Sequence, residues 1–189
     1  LDAMREYECK YELALTNREI LFMFRKMILR WFSPAKHETN EFIRALISGD
    51  IESMNAYMNK VTLKTISYFD TRNIPSDEEP ERFFHGFVLG LMVDQTENYI
   101  ITSNRESGFG RYDIMLEPID KNNEKYPGIV IEFKVINQRK ENSLEETVAA
   151  ALKQIEEKRY DEEILALGIE KERIRHYGFA FEGKKVLIG

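Results

Sequence analysis

From Leu1 to about Phe69 the apolar residues recur every three or four positions, the spacing of one face of an α-helix. Thr16-Asn-Arg-Glu19 has the form of a capping box, a hydroxyl that caps the first turn and a carboxylate that reaches back. Ile20, Phe24, Met27, Ile28 and Trp31 follow at helical spacing. Further helices are expected over Glu38–Ser48 and from Asp50 to about Phe69, the second with a stripe of Met54, Tyr57, Met58, Val61 and Ile66. The stretch Pro75-Ser-Asp-Glu-Glu-Pro80 interrupts this pattern. A second capping box, Ser76 to Glu79, opens a helix to about Val93 whose inward stripe holds Phe84, Val88 and Leu91, with Glu81 on the same stripe.

The period then changes. Tyr99–Asn104 and Arg111–Leu116 are rich in β-branched and aromatic residues and are joined by Arg105-Glu-Ser-Gly-Phe-Gly110, the pattern of an antiparallel hairpin with a glycine-bearing turn. Ile129–Val135 follows Pro127-Gly128 as a short apolar run and predicts a buried central strand, although Glu132 and Lys134 lie within it. A third capping box, Ser143 to Glu146, starts a helix through about Arg159, and Tyr177–Phe181 with Lys185–Ile188 predicts two last strands about Gly183. This order implies an α/β fold, a mixed central sheet with helices on both faces. Residues 1–75 are a helical segment packing on or extending the core, and residues 76–189 are the α/β part.

Composition narrows the classes. The 189 residues are 43% hydrophobic, enough for a packed core. The formal charge of −6 provides no overall attraction to a polyanion. Cys9 is the only cysteine, which excludes an internal disulfide or a cysteine-rich zinc site and suits a reducing compartment, the cytoplasm. The most apolar stretch, Ile20–Phe32, is broken by Arg25, Lys26 and Arg30, so no membrane span is expected. A start at Leu1, already among helix formers, suggests a longer parent chain. No glycine-rich phosphate loop with a following Lys-Ser/Thr is present, so ATP binding by this stretch is not expected.

Alternation in a strand puts Glu132 and Lys134 on one face and Ile131, Phe133 and Val135 on the other. A carboxylate and an amine on a buried strand require a partner, a metal or a cleft. Glu-x-Lys alone is also what an ordinary ion pair on an edge strand looks like. Asp113, in the preceding strand, comes beside Glu132 by neighbour pairing, and two carboxylates with an intervening carbonyl suit Mg²⁺ or Mn²⁺. It reads equally as a polar residue at a strand entry. Gln154, beside the small Ala150 and Ala151, lies on a helix face that meets the sheet or on its rim. Glu81 is either a site carboxylate or one favoured by its helix N-terminus.

Taken in order, Phe83-Phe84-His-Gly86, Ser103-Asn-Arg-Glu-Ser-Gly-Phe-Gly-Arg-Tyr-Asp113, Ile131-Glu-Phe-Lys134, Ala151-Leu-Lys-Gln-Ile155 with Tyr160, and Tyr177-Gly-Phe-Ala-Phe181 with Lys184-Lys185 make a set. The set resembles the PD-(D/E)XK nuclease superfamily, and in particular the nuclease-like domain that follows an AAA-ATPase-like domain in proteins of unknown role. It covers Glu81 to Ile188, and Asn17-Arg-Glu-Ile20 resembles the family's helical entry segment. The aspartate follows Arg-Tyr here rather than proline, a departure common in this diverse group.

The resemblance implies a restriction-endonuclease-like fold in which Asp113, Glu132 and the Phe133 carbonyl ligate Mg²⁺ and Lys134 orients or helps deprotonate the attacking water. Glu81 would be an outer or second-metal ligand, Gln154 a positioning group and Tyr160 an accessory one. The implied activity is hydrolysis of a nucleic-acid phosphodiester, DNA in the first place. Arg105, Arg111, Arg139, Lys140, Lys153, Lys158 and Lys184 are the cations that could line a groove. The alternative is a catalytically silent nuclease fold docked on a preceding ATPase domain or another protein. The methionine and aromatic residues around Phe22, Met23 and Phe24 would serve that role, though they read equally as core. An all-helical interaction protein would need the strand-like runs to be something else.

Overall fold

The computed structural model describes residues 36–69, 79–108 and 110–189. The capping boxes at Thr16 and Ser76 and the helical stripe from Ile20 to Trp31 lie outside these residues. Helices α1 (Lys36–Ser48), α2 (Ile51–Phe69) and α3 (Glu79–Met92) come first. They are followed by β1 (Tyr99–Ser103), the two-residue strands β2 (Glu106–Ser107) and β3 (Gly110–Arg111), β4 (Ile114–Pro118) and β5 (Gly128–Val135). Helix α4 (Leu144–Lys158), the short α5 (Glu162–Ala166), β6 (Ile174–Glu182) and β7 (Lys185–Ile188) complete the chain.

The main sheet has the order β1-β4-β5-β6-β7, with β5 and β6 parallel and the other pairs antiparallel. It is mixed, with the run that carries Glu132 and Lys134 at its centre, as the apolar pattern requires. Even-numbered residues of β5 face α4. Val130 packs with Met115, Ile155 and Tyr160 in one buried cluster. Odd-numbered residues face α3: the Phe84 and Phe181 rings stack at 4.0 Å, and Phe133 lies 5.2 Å from Phe179 and 5.9 Å from Phe181. On that same face the Tyr177 hydroxyl donates to Leu46 O of α1 at 2.7 Å.

Helix α2 takes the open edge of β7. Asn55 accepts from Ile188 N and donates to Ile188 O, both at 2.8 Å. Asn59 does the same for Val186 at 3.1 and 2.7 Å, and Thr62 donates to Lys184 O at 3.0 Å. An edge strand's unpaired groups are thereby satisfied by side chains of a helix rather than by another strand.

The expected hairpin forms with a longer reach. One register runs from Tyr99↔Pro118 through Ser103↔Ile114 to Ser107↔Gly110, so β2 and β3 are the far end of the β1–β4 pair. The expected strand Arg111–Leu116 is interrupted at Tyr112 and Asp113, where Asn104 N and Tyr112 N still bond main-chain carbonyls while the Asp113 and Arg111 side chains serve Phe133 N and Asn104 O. The Ser143 capping box is present, with Ser143 Oγ accepting from Glu146 N, while the Glu146 carboxylate returns to Asn142 N at 2.8 Å.

Candidate functional site

Asp113 stands between β3 and β4, one position beyond the Ile114↔Ile131 pair, where the strand is broken and its side chain reaches the backbone of β5. Its Oδ2 accepts from the Phe133 N–H at 2.8 Å, a bond that a main-chain carbonyl would supply in an unbroken ladder. Glu132 is 4% exposed on the central strand. It faces Gly178 of β6, and that residue's missing side chain decides how near α4 can come. A Cβ on Gly178 would lie 2.8 Å from Val148 O and 3.0 Å from the Ala151 Cβ.

The close approach brings Gln154 over the acid and the amine. Its Oε1 accepts from Lys134 Nζ at 2.7 Å, and its Nε2 donates to Glu132 Oε1 and, at 3.2 Å, to the Tyr160 hydroxyl. Lys134 Nζ lies 4.0 Å from Glu132 Oε1. One glutamine thus fixes both members of the Glu-x-Lys pair by presenting its acceptor to the cation and its donor to the anion. The structure brings together Asp113, Glu132, Lys134, Gln154 and Tyr160. Glu81 lies on α3, one helical turn before His85, and its side chain is outside the described residues.

On the other face His85 fills a place for which the periodicity provided no role. Its ring stacks against Phe133 at 5.5 Å, and Nε2 lies 2.9 Å from Ser103 Oγ. His85, Ser103 and Asn104 belong to the strings that carry the family resemblance, which was the one signal for them.

Burial pushes the Asp113 carboxyl above the ordinary carboxylate range, opposed by the Phe133 N–H and then by the charges of His85, Lys134 and Arg111. Burial lowers His85, with the charge and the backbone of Asp113 pulling partly the other way. Burial also raises the Tyr160 phenol; the Gln154 bond opposes this, and the charges of Glu132 and Asp113 add to it.

These residues fit a hard divalent cation. The Asp113 charge is disfavoured by burial, a cost that a bound cation would offset, and the donors are oxygens. Among the described residues no three His, Cys, Asp or Glu side chains converge. Two carboxylates and a backbone carbonyl, with water in the remaining positions, are what Mg²⁺ accepts, in contrast to the closed cage of nitrogen and sulfur that zinc prefers.

Among the candidate groove cations, Lys158 lies along the ribbon formed by β2 and β3, its Cδ 3.4 Å from where a Gly110 Cβ would be. Lys153 is an exposed partner of Glu157 at 3.5 Å. No helix among the described residues is long and apolar enough to cross a membrane.

Residues 79–189 match the family profile of the PD-(D/E)XK nuclease superfamily. No curated protein and no solved structure matches the chain.

Proposed function

The chain belongs to the PD-(D/E)XK nuclease superfamily, and on that premise we propose that it is a divalent-metal-dependent nuclease hydrolysing nucleic-acid phosphodiesters, with DNA as the first substrate to test. The observation that supports this reading best is the meeting of an amine and two carboxylates at one point of the central strand. Lys134 is held by Gln154 at 2.7 Å beside Glu132, and Asp113 is held by the Phe133 N–H at 2.8 Å.

In this reading Asp113, Glu132 and the Phe133 carbonyl hold Mg²⁺ or Mn²⁺, with Glu81 as an outer ligand. The cation, when bound, lowers the pKa of a water and polarises the phosphoryl oxygen. Lys134 provides a compact positive charge next to the attacked phosphate and orients the attacking water. Gln154 keeps that amine from collapsing onto Glu132, because its carbonyl holds Nζ while its amide occupies the near carboxylate oxygen. Tyr160, protonated, holds the glutamine's amide from behind. The reading includes the cytoplasm as the location and an AAA-ATPase-like domain ahead of this stretch in a longer parent.

The test is cleavage of labelled single- and double-stranded DNA and RNA with Mg²⁺ or Mn²⁺, beside Asp113→Ala and Lys134→Ala, with metal binding followed by calorimetry. Cleavage by the native protein that chelator and both substitutions abolish is the expected result. Metal binding should be lost in Asp113→Ala and retained in Lys134→Ala. The net charge of −6 favours a second reading, a silent nuclease fold docked on the preceding domain. Absence of both cleavage and metal binding in the native protein would select it.

A further inference from the structure

The hairpin that carries Asp113 keeps one register along its whole length yet does not stay straight. At its bend is Asn104, with φ +52°, in the left-handed region that side chains other than those of asparagine and aspartate rarely occupy. This residue contacts Asp113, Arg111, Ser103 and His85. Its N–H donates to Asp113 O at 3.0 Å, and its carbonyl accepts from Arg111 Nε at 2.7 Å, where a regular pair would accept a strand N–H. Its Nδ2 donates to Ser103 Oγ at 3.2 Å and lies 3.4 Å from His85 Nδ1.

Beyond the bend the β2–β3 ribbon runs to the C-terminal end of α4. A Cβ on Gly108 would run into Lys158 O, and one on Gly110 would lie 2.9 Å from the Tyr160 hydroxyl. The same Tyr160 accepts from Gln154. The bend thus lies between Asp113, whose carboxylate accepts from the Phe133 N–H, and the ribbon that packs against Tyr160, the partner of Gln154.

We propose that Asn104 is a positioning residue of the candidate metal centre, and that its left-handed backbone sets both the Asp113 carboxylate and, through the ribbon, the Tyr160–Gln154 contact. Its functional weight rests on the nuclease reading above, while its structural content is testable without catalysis. Backbone strain kept at a site by surrounding contacts is a recurring way of fixing a reactive group. Here the contacts that keep it are Arg111 on the carbonyl and Asp113 on the N–H.

The experiment compares Asn104→Gly, which keeps the left-handed backbone and loses the amide, with Asn104→Ala, which loses both. Amide exchange and the proton shift of Phe133 N–H report the Asp113 bond directly, and Mn²⁺ affinity reports its consequence. Asn104→Ala should lower Phe133 protection and Mn²⁺ affinity by about tenfold, and cleavage should fall in kcat with KM unchanged. Asn104→Gly should leave Phe133 as in the native protein. Native protection in Asn104→Ala overturns the proposal, and so does an equal loss in Asn104→Gly, which would place the effect in the side chain. Should Asn104→Ala not fold, Arg111→Ala releases the same carbonyl from the surface. Loss of Phe133 protection there supports the proposal, and unchanged protection overturns it. A native protein that neither binds Mn²⁺ nor cleaves would defeat the nuclease reading, while the Phe133 amide still decides this one.

Discussion

Gly178 is the residue whose replacement tests the site's construction most directly. It faces Glu132 across the parallel pair, and a Cβ there would meet Val148 O at 2.8 Å, where ordinary contact begins at 3.4 Å. In Gly178→Ala, α4 must therefore withdraw by about 0.6 Å, and it carries Gln154, three residues beyond Ala151, away from β5. Overpacking of this kind costs about 1–3 kcal/mol, which for a chain of this size lowers the melting temperature by roughly 3–10 °C. The displaced glutamine loosens its 2.7 Å bond to Lys134, and a misplacement of this order should lower kcat about tenfold or more. Urea unfolding gives the first quantity. Single-turnover cleavage at saturating metal, well below the melting temperature, gives the second. A variant that loses stability while its kcat stays native would refute the claim that helix approach sets the Glu132–Gln154–Lys134 geometry. One that loses neither would refute the packing argument itself.

Three other outcomes follow from the same contacts. The Asp113 carboxyl is raised above its ordinary 3.8 by burial, so its ionised form costs native stability as pH rises through the raised value. That cost is absent below 3.8, where both folded and unfolded states are protonated. Metal-free Asp113→Asn should accordingly be more stable than the native protein at pH 7, with the gain vanishing as pH falls below about 4. Urea midpoints in chelator across pH read it, and a gain that persists at low pH would contradict burial as the cause. Asn55→Ala removes the donor and acceptor serving Ile188 and should cost about 1–3 kcal/mol in urea unfolding. Gly86→Ala places a methyl in open space within α3 and should add about 0.5–1 kcal/mol by the same measurement.

Much of this arrangement can be read from alternation and spacing. The two-residue period of Ile129–Val135 separates Glu132 and Lys134 from Ile131 and Phe133, and the fold keeps that separation, with α4 on one face and α3 on the other. The small residues about Gln154 anticipate a close helix, and Ala151 is fully buried. Periodicity does not reveal where a side chain replaces a backbone partner. The Asp113 carboxylate reaching the Phe133 N–H of β5 and the Arg111 guanidinium reaching the Asn104 carbonyl across the hairpin are such substitutions, and they sit at the break in the strand expected over Arg111–Leu116. His85 was hidden differently, since a histidine within an apolar stripe has the spacing of core, and only its neighbours Ser103 and Asn104 distinguish it.

The clasp of α2 on β7 has a consequence for where this chain can be cut. Four residues along a helix advance about 6 Å and two along a strand about 6.8 Å, so Asn55 and Asn59 fall in step with Ile188 and Val186. The helix behaves as a sixth strand made of carboxamides, a zipper that matches the edge group for group. A fragment begun at the Pro75 break would keep the candidate catalytic residues and leave that edge bare. Its first partner in solution would be the same edge of another molecule, and the fragment would precipitate or dimerise through a strand that the longer chain keeps closed.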